Sequence, residues 1–151
     1  MYISIVLPTS MKSLVEHILP KVSEAYSGIL DVQLTLGDVI IDHDCYDKLR
    51  GQYKAWKLLE YLGPCDNPTV YVIDVDAYVP SLNFVFGLAI PWLRCAAVFT
   101  PRLKHSDDKV FSERLAKEIV HESGHLLGLS HCNNPICVMS FSNSILDVDR
   151  K

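Results

Sequence analysis

A chain of 151 residues can bury about 70% of the surface its unfolded form exposes, and 49% hydrophobic with 21% charged residues excludes intrinsic disorder and collagen-like repetition. With 14 Lys plus Arg against 18 Asp plus Glu, the net charge of −4 argues against a broad nucleic-acid-binding face or an anionic membrane surface as partner. No apolar run of about 18 residues offers a membrane span, and Met1–Leu7 enters as an apolar run with neither a basic leader nor a cleavage site. Five cysteines in such a chain point to a reducing compartment. The expectation is one domain over residues 1–151, cytoplasmic and monomeric.

Tyr2–Leu7 is β-branched and apolar and stops at Pro8, which predicts a strand. Thr9 or Ser10 can cap a helix with Met11, Leu14, Val15 and Ile18 on its apolar face, complicated at its far end by Pro20 and Gly28. Leu30–Leu36 alternates with period two, as a half-buried strand does. Apolar positions Leu49, Tyr53, Trp56, Leu59 and Tyr61 predict a helix over Tyr46–Leu62, ended by Gly63-Pro64. Thr69–Val75 is almost continuously apolar, the pattern of a strand buried on both faces. Asn83–Ala89 and Cys95–Thr100 are further strands, separated by a turn at Pro91-Trp92. A helix opening at Ser112 runs to Leu129, and Cys132–Lys151 reads as irregular. The order predicts an α/β fold with a mixed, mainly parallel sheet packed on helices.

The chemistry concentrates in one stretch, His121-Glu122-Ser123-Gly124-His125-Leu126-Leu127-Gly128-Leu129-Ser130-His131. Residues four apart on a helix lie about 40° apart in azimuth and one turn apart in height, so His121 and His125 can reach one ion. Glu122, next to the first of them, suits a general base for a metal-activated water. His131 cannot join along a continuous helix, because ten residues rise roughly 15 Å. The helix must end and the chain must double back. Gly128 stands where that reversal is needed, since glycine accepts the left-handed conformation that terminates helices. With this composition, H-E-x-x-H alone arises by accident on the order of 1% of the time, and the added Gly128 and His131 lower that by a factor of about 500.

The extended motif, followed by Met139, resembles the metzincin clan of zinc peptidases. Cys132 directly after the third histidine, then Cys137 and Met139, resembles the archaemetzincin family in particular. Asp74–Pro80 and Leu82–Gly87 support the likeness more loosely. The resemblance implies a catalytic zinc ligated by His121, His125 and His131, with Glu122 as base and acid, and the zinc-binding helix followed by an irregular Met-turn segment. It implies that Met139 packs beneath the histidines. It implies substrate lying extended beside an edge strand, for which Asn83–Ala89 is the candidate. It also implies a second zinc held by four cysteines, of which Cys132 and Cys137 match two. The other Cys-x-x-Cys does not occur within the 151 residues, so the expected second site is incomplete or vacant. Ser140-Phe141 follows the methionine, where some metzincins carry an additional tyrosine ligand, so water is expected in the fourth position.

The function so implied is a zinc metallopeptidase acting on a peptide or protein substrate, in an endopeptidase or aminopeptidase mode. Two alternatives are a zinc-binding peptide-recognition scaffold with little turnover and a zinc amidohydrolase of small substrates. Cys45, Cys65 and Cys95 lack paired spacing and read as buried thiols. His17, His43 and His105 have no sequence partner, and Asp74 and Asp76 read as structural. Arg94, Arg102 and Lys104 are too sparse for a nucleic-acid patch. Ile90–Leu93 is a candidate cover for the site and Phe141 a candidate pocket wall.

Overall fold

The computed structural model describes residues 1–151. Strand β1 (Tyr2–Leu7) leads through a 3-10 turn at Thr9–Leu14 into helix α1 (Val15–Ala25) and strand β2 (Asp31–Leu36). Neither Thr9 nor Ser10 caps the helix; the Thr9 hydroxyl donates to Asp38 Oδ2 at 2.7 Å instead. A hairpin of β3 (Tyr46–Asp47) and β4 (Gln52–Lys54) precedes helix α2 (Ala55–Leu62). Then come β5 (Thr69–Ile73), β6 (Ala77–Tyr78), β7 (Gly87–Ile90), β8 (Cys95–Phe99), α3 (Asp108–Leu126) and α4 (Ile145–Arg150).

The main sheet has the order β2-β1-β5-β8-β7. Its first four strands are parallel and β7 runs antiparallel along β8, at the sheet's edge. A small sheet, β3-β4-β6, lies beside it. Ile3, Ile5, Leu7, Val70, Val72 and Val98 pack on one face against Ile18 and Val22 of α1 and Leu115 and Ile119 of α3. Ile73, Ala97 and Phe99 face the other way, against Ala55, Leu58 and Leu59 of α2. The expected mixed, mainly parallel α/β fold is therefore present. No helix is long and apolar enough to cross a membrane.

Four boundaries differ from those expected, each for an identifiable physical reason. The helix expected from Tyr46 begins only at Ala55. The Asp47 carboxylate accepts from the N–H groups of Leu49 and Arg50, and Gly51 takes a left-handed φ of 68°, so the chain turns as a hairpin and leaves Leu49 fully exposed. The strand expected over Asn83–Ala89 occupies Gly87–Ile90. Arg50 Nη2 donates to the carbonyls of Leu82 and Asn83, and Gln52 Nε2 donates to Asn83 as well, which diverts these groups from sheet pairing.

The third helix starts four residues before Ser112, because Asp107 caps it by accepting from Lys109 N–H at 2.9 Å. Ser112 instead donates its hydroxyl to the Asp108 carbonyl. The segment read as irregular contains α4, which docks on α3. Arg114 Nε and Nη2 donate to the two Asp149 oxygens, each at 2.8 Å, and Val148 is fully buried. Of the residues read as structural, Asp76 accepts a bidentate pair of hydrogen bonds from Arg102, and Asp74 accepts from the Thr100 hydroxyl.

Candidate active site

Helix α3 carries His121, Glu122 and His125 on the turns that face the edge strand. It ends at Leu126, and Gly128 follows with φ at 95°. Leu129 N–H donates to the Gly124 carbonyl at 2.9 Å, and Gly128 N–H donates to the His125 carbonyl at 3.0 Å. This pair of bonds is the Schellman termination that a glycine at this position permits. It brings His131 back to the two helical histidines.

The His125 Nε2 atom lies 3.2 Å from His121 Nε2 and 3.2 Å from His131 Nε2. These three residues form the one group of three or more potential ligands whose atoms all lie within 4.8 Å of one another. A tetrahedral ion bound to nitrogen at about 2.0–2.1 Å separates its ligand atoms by about 3.3 Å, so the two short spacings fit zinc. His121 Nδ1 is 2.7 Å from the Val138 carbonyl, and His125 Nδ1 is 2.8 Å from the Leu129 carbonyl. Each Nδ1–H donates to its carbonyl, which fixes the tautomer and leaves the Nε2 lone pairs converging. Burial, reinforced by Lys151 and the other two imidazoles, pushes His121 down to about 4. Burial also lowers His131. Both shifts favour the uncharged imidazole, the form that binds metal.

Glu122 is buried beside this trio, and burial, with the Glu118 carboxylate adding to it, raises its pKa well above the usual range. Gly87 of β7 makes room for it. A Cβ at Gly87 would lie 2.6 Å from Glu122 Oε1 and 2.8 Å from the Ala97 carbonyl oxygen. Gly87→Ala is therefore expected to retain metal but displace the carboxylate, slowing hydrolysis about 10²-fold, the scale on which a misplacement of 1 Å is felt. Steady-state kinetics beside metal analysis check it.

Met139 is buried and packs against the same helix: a Cβ at Gly124 would meet its sulfur at 2.5 Å. Gly124 thus lets the methionine approach the helix turn between His121 and His125. Cys132 and Cys137 are half-buried free thiols in the return segment, and Cys132 N–H donates to the Met139 carbonyl at 2.9 Å. Neither belongs to a group of three or more potential ligands. Cys45 and Cys95 are buried thiols and Cys65 is half-buried.

A cleft of about 550 Å³ runs past the trio, walled by Leu88 and Ala89 of β7, Pro91, Leu129 and Phe141. The Phe141 ring stands 5.5 Å from that of His131. Of the segment proposed as a cover, Pro91 lines the cleft, whereas Trp92 points largely into solvent. A smaller pocket of about 160 Å³ adjoins it on the far side of Glu122, bordered by Phe84, Phe86, Glu118, Asn143 and Lys151. No sequence motif assigns a role to Gly87, Glu118 or Lys151. The i, i+4 series Arg114-Glu118-Glu122 is a signal that a charged stripe runs along α3 toward the site.

The family model of peptidase family M54 matches residues 29–151. Archaemetzincin of Pyrobaculum aerophilum is 57% identical over 115 residues, covering 76% of this chain and 72% of that protein. The structure of archaemetzincin from Archaeoglobus fulgidus, complexed with malonate, has a TM-score of 0.83 at 38% identity, covering 100% of this chain and 92% of that one. That of a zinc-dependent peptidase from Methanocorpusculum labreanum has a TM-score of 0.86 at 29% identity, covering 99% and 93%.

Proposed function

The chain belongs to peptidase family M54, the archaemetzincins, and is a zinc metalloprotease; we propose that it cleaves peptide bonds at the His121, His125 and His131 trio with Glu122 as general base and acid. The observation that carries this reading is the convergence of three imidazole nitrogens, two of their spacings at 3.2 Å, beside a buried carboxylate. Zinc held there supplies a water acidified to a pKa of roughly 7 and a Lewis acid for the carbonyl oxygen of the substrate.

The protein's own residues do the rest. Glu122 takes the proton of the attacking water and returns it to the leaving amine, a role suited to a carboxylate whose pKa its burial raises. The edge of β7 offers unpaired backbone groups to an extended peptide, which would add as a further strand. Leu129 and Phe141 give one wall of the cleft an apolar surface for substrate side chains. Met139 supports the ligand-bearing turn from beneath. Cys132 and Cys137 would enter a second, four-cysteine zinc site, for which two thiolates are an incomplete set. The continuous sheet from β2 to β7 favours one metallopeptidase domain over residues 1–151, and five thiols without a disulfide favour the cytoplasm.

Zinc-loaded protein incubated with an unbiased peptide mixture is expected to generate new termini by mass spectrometry. A chelator should abolish them and added zinc restore them. Internal cuts would identify an endopeptidase, and loss of terminal residues alone an aminopeptidase. Tight zinc binding with no cleavage of any peptide would overturn the proposal in favour of a recognition scaffold.

A further inference from the structure

Behind the trio lies an ion pair that hydrolysis as derived above does not use. The Lys151 side chain is 0% exposed and that of Glu118 is 3% exposed, with Nζ 3.4 Å from Glu118 Oε1. Lys151 follows α4, whose position on α3 is set by the Arg114–Asp149 pair and by Lys117 Nζ, which donates to the carbonyls of Val148 and Asp149. The Lys151 ammonium thereby reaches three parts of the site at once. It donates to the Ser140 carbonyl at 3.0 Å, faces Glu118 one turn before Glu122, and stands 3.5 Å from His121 Nδ1.

The distances rank these contacts. A charge-assisted bond between ammonium and carboxylate closes to about 2.7–2.9 Å, whereas this pair stays at 3.4 Å and Glu118 Oε1 accepts no hydrogen bond. The firm bond goes to Ser140, the residue after Met139. Two residues before Ser140, the Val138 carbonyl accepts the Nδ1–H of His121. Lys151 therefore ties down the backbone that orients the His121 ring. On the zinc reading given above, we propose that Lys151 is a positioning residue: it clamps Val138–Ser140 onto α3, holding the His121 ring and Met139 in register with His125 and His131.

Groups that orient metal ligands from behind typically matter 10–100-fold in affinity or rate. Removing Lys151 alone would also leave Glu118 buried without a counter-charge, so the decisive variant is the neutral double substitution Lys151→Met with Glu118→Gln. Zinc dissociation constants are measured on the full chain by competition with a chromophoric chelator, alongside kcat, KM and the metal-free melting temperature. The double variant is expected to melt close to the wild type without metal, yet bind zinc at least about ten-fold more weakly and lose kcat with KM unchanged. Glu118→Gln alone keeps the bond to Ser140 but leaves the buried Lys151 ammonium without its counter-charge, so its metal-free melting temperature should fall while zinc affinity stays within about three-fold of wild type, against the ten-fold or greater loss expected of a ligand-orienting group.

Wild-type zinc affinity and kcat in the double variant would overturn the clamp, since Lys151 would then serve only to neutralise Glu118. If Lys151 variants do not fold, the Glu118→Gln arm decides: an affinity loss as large as ten-fold would make charge balance the operative term and overturn the clamp. Failure of the wild type to bind zinc would instead bring down the metal reading, and this inference with it.

Discussion

Glu122→Gln protein is expected to bind one zinc ion per chain as the wild type does and to hydrolyse peptides about 10²–10⁴-fold more slowly. The amide keeps the shape of the carboxylate, so the pocket between Gly87 and α3 stays filled and the histidines stay in place. It cannot take a proton. Because the lost interaction belongs to the proton transfer, kcat and kcat/KM should fall together while KM holds. Glu118 does not replace it: that carboxylate lies one helical turn away and faces Lys151. Full activity in metal-replete Glu122→Gln protein would refute the role given to Glu122.

His125→Ala should abolish both zinc binding and hydrolysis, because its Nε2 is the atom that lies 3.2 Å from each of the other two. Two imidazoles remain, and they do not make a three-ligand catalytic site. The fold should survive the change. His125 is half-exposed at the last turn of α3, and the helix is terminated by backbone bonds around Gly128. Thermal unfolding separates the two effects. Added zinc raises the melting temperature of a protein that binds it only when folded, so wild type should be stabilised by zinc and His125→Ala should not. Zinc-dependent stabilisation of the variant equal to wild type would place the metal elsewhere.

The convergence of the three histidines was legible in the sequence because its geometry is local. Helical spacing places two histidines, and a glycine at the helix end places the third; the Schellman bonds at Gly128 are the structural form of that inference. The strands β5 and β8 were legible for a similar reason, since burial on both faces requires unbroken apolar runs; β1, buried on alternate residues, was legible from its β-branched run ending at Pro8. What the sequence hid is non-local. The hairpin of β3 and β4 imitates helical periodicity, with Leu49 an apolar residue pointing into solvent. The start of β7 depends on Arg50 and Gln52, which are more than 30 residues away.

Helix α4 is six residues long with little intrinsic helical preference, and it exists through its tertiary bonds to Arg114 and Lys117. That same docking delivers Lys151 to the back of the site. Gly87 was visible as a glycine but not as the space that Glu122 requires, because the two meet only when the sheet edge packs against α3.

The most direct test of the central claim is an anomalous difference map recorded at the zinc absorption edge from crystals of the zinc-loaded protein. One strong peak is expected, bonded to the Nε2 atoms of His121, His125 and His131 at about 2.0–2.1 Å each, with Glu122 beside it but outside its ligand set. A peak at another location, or one contacted by only two of these histidines with His131 turned into solvent, would contradict it.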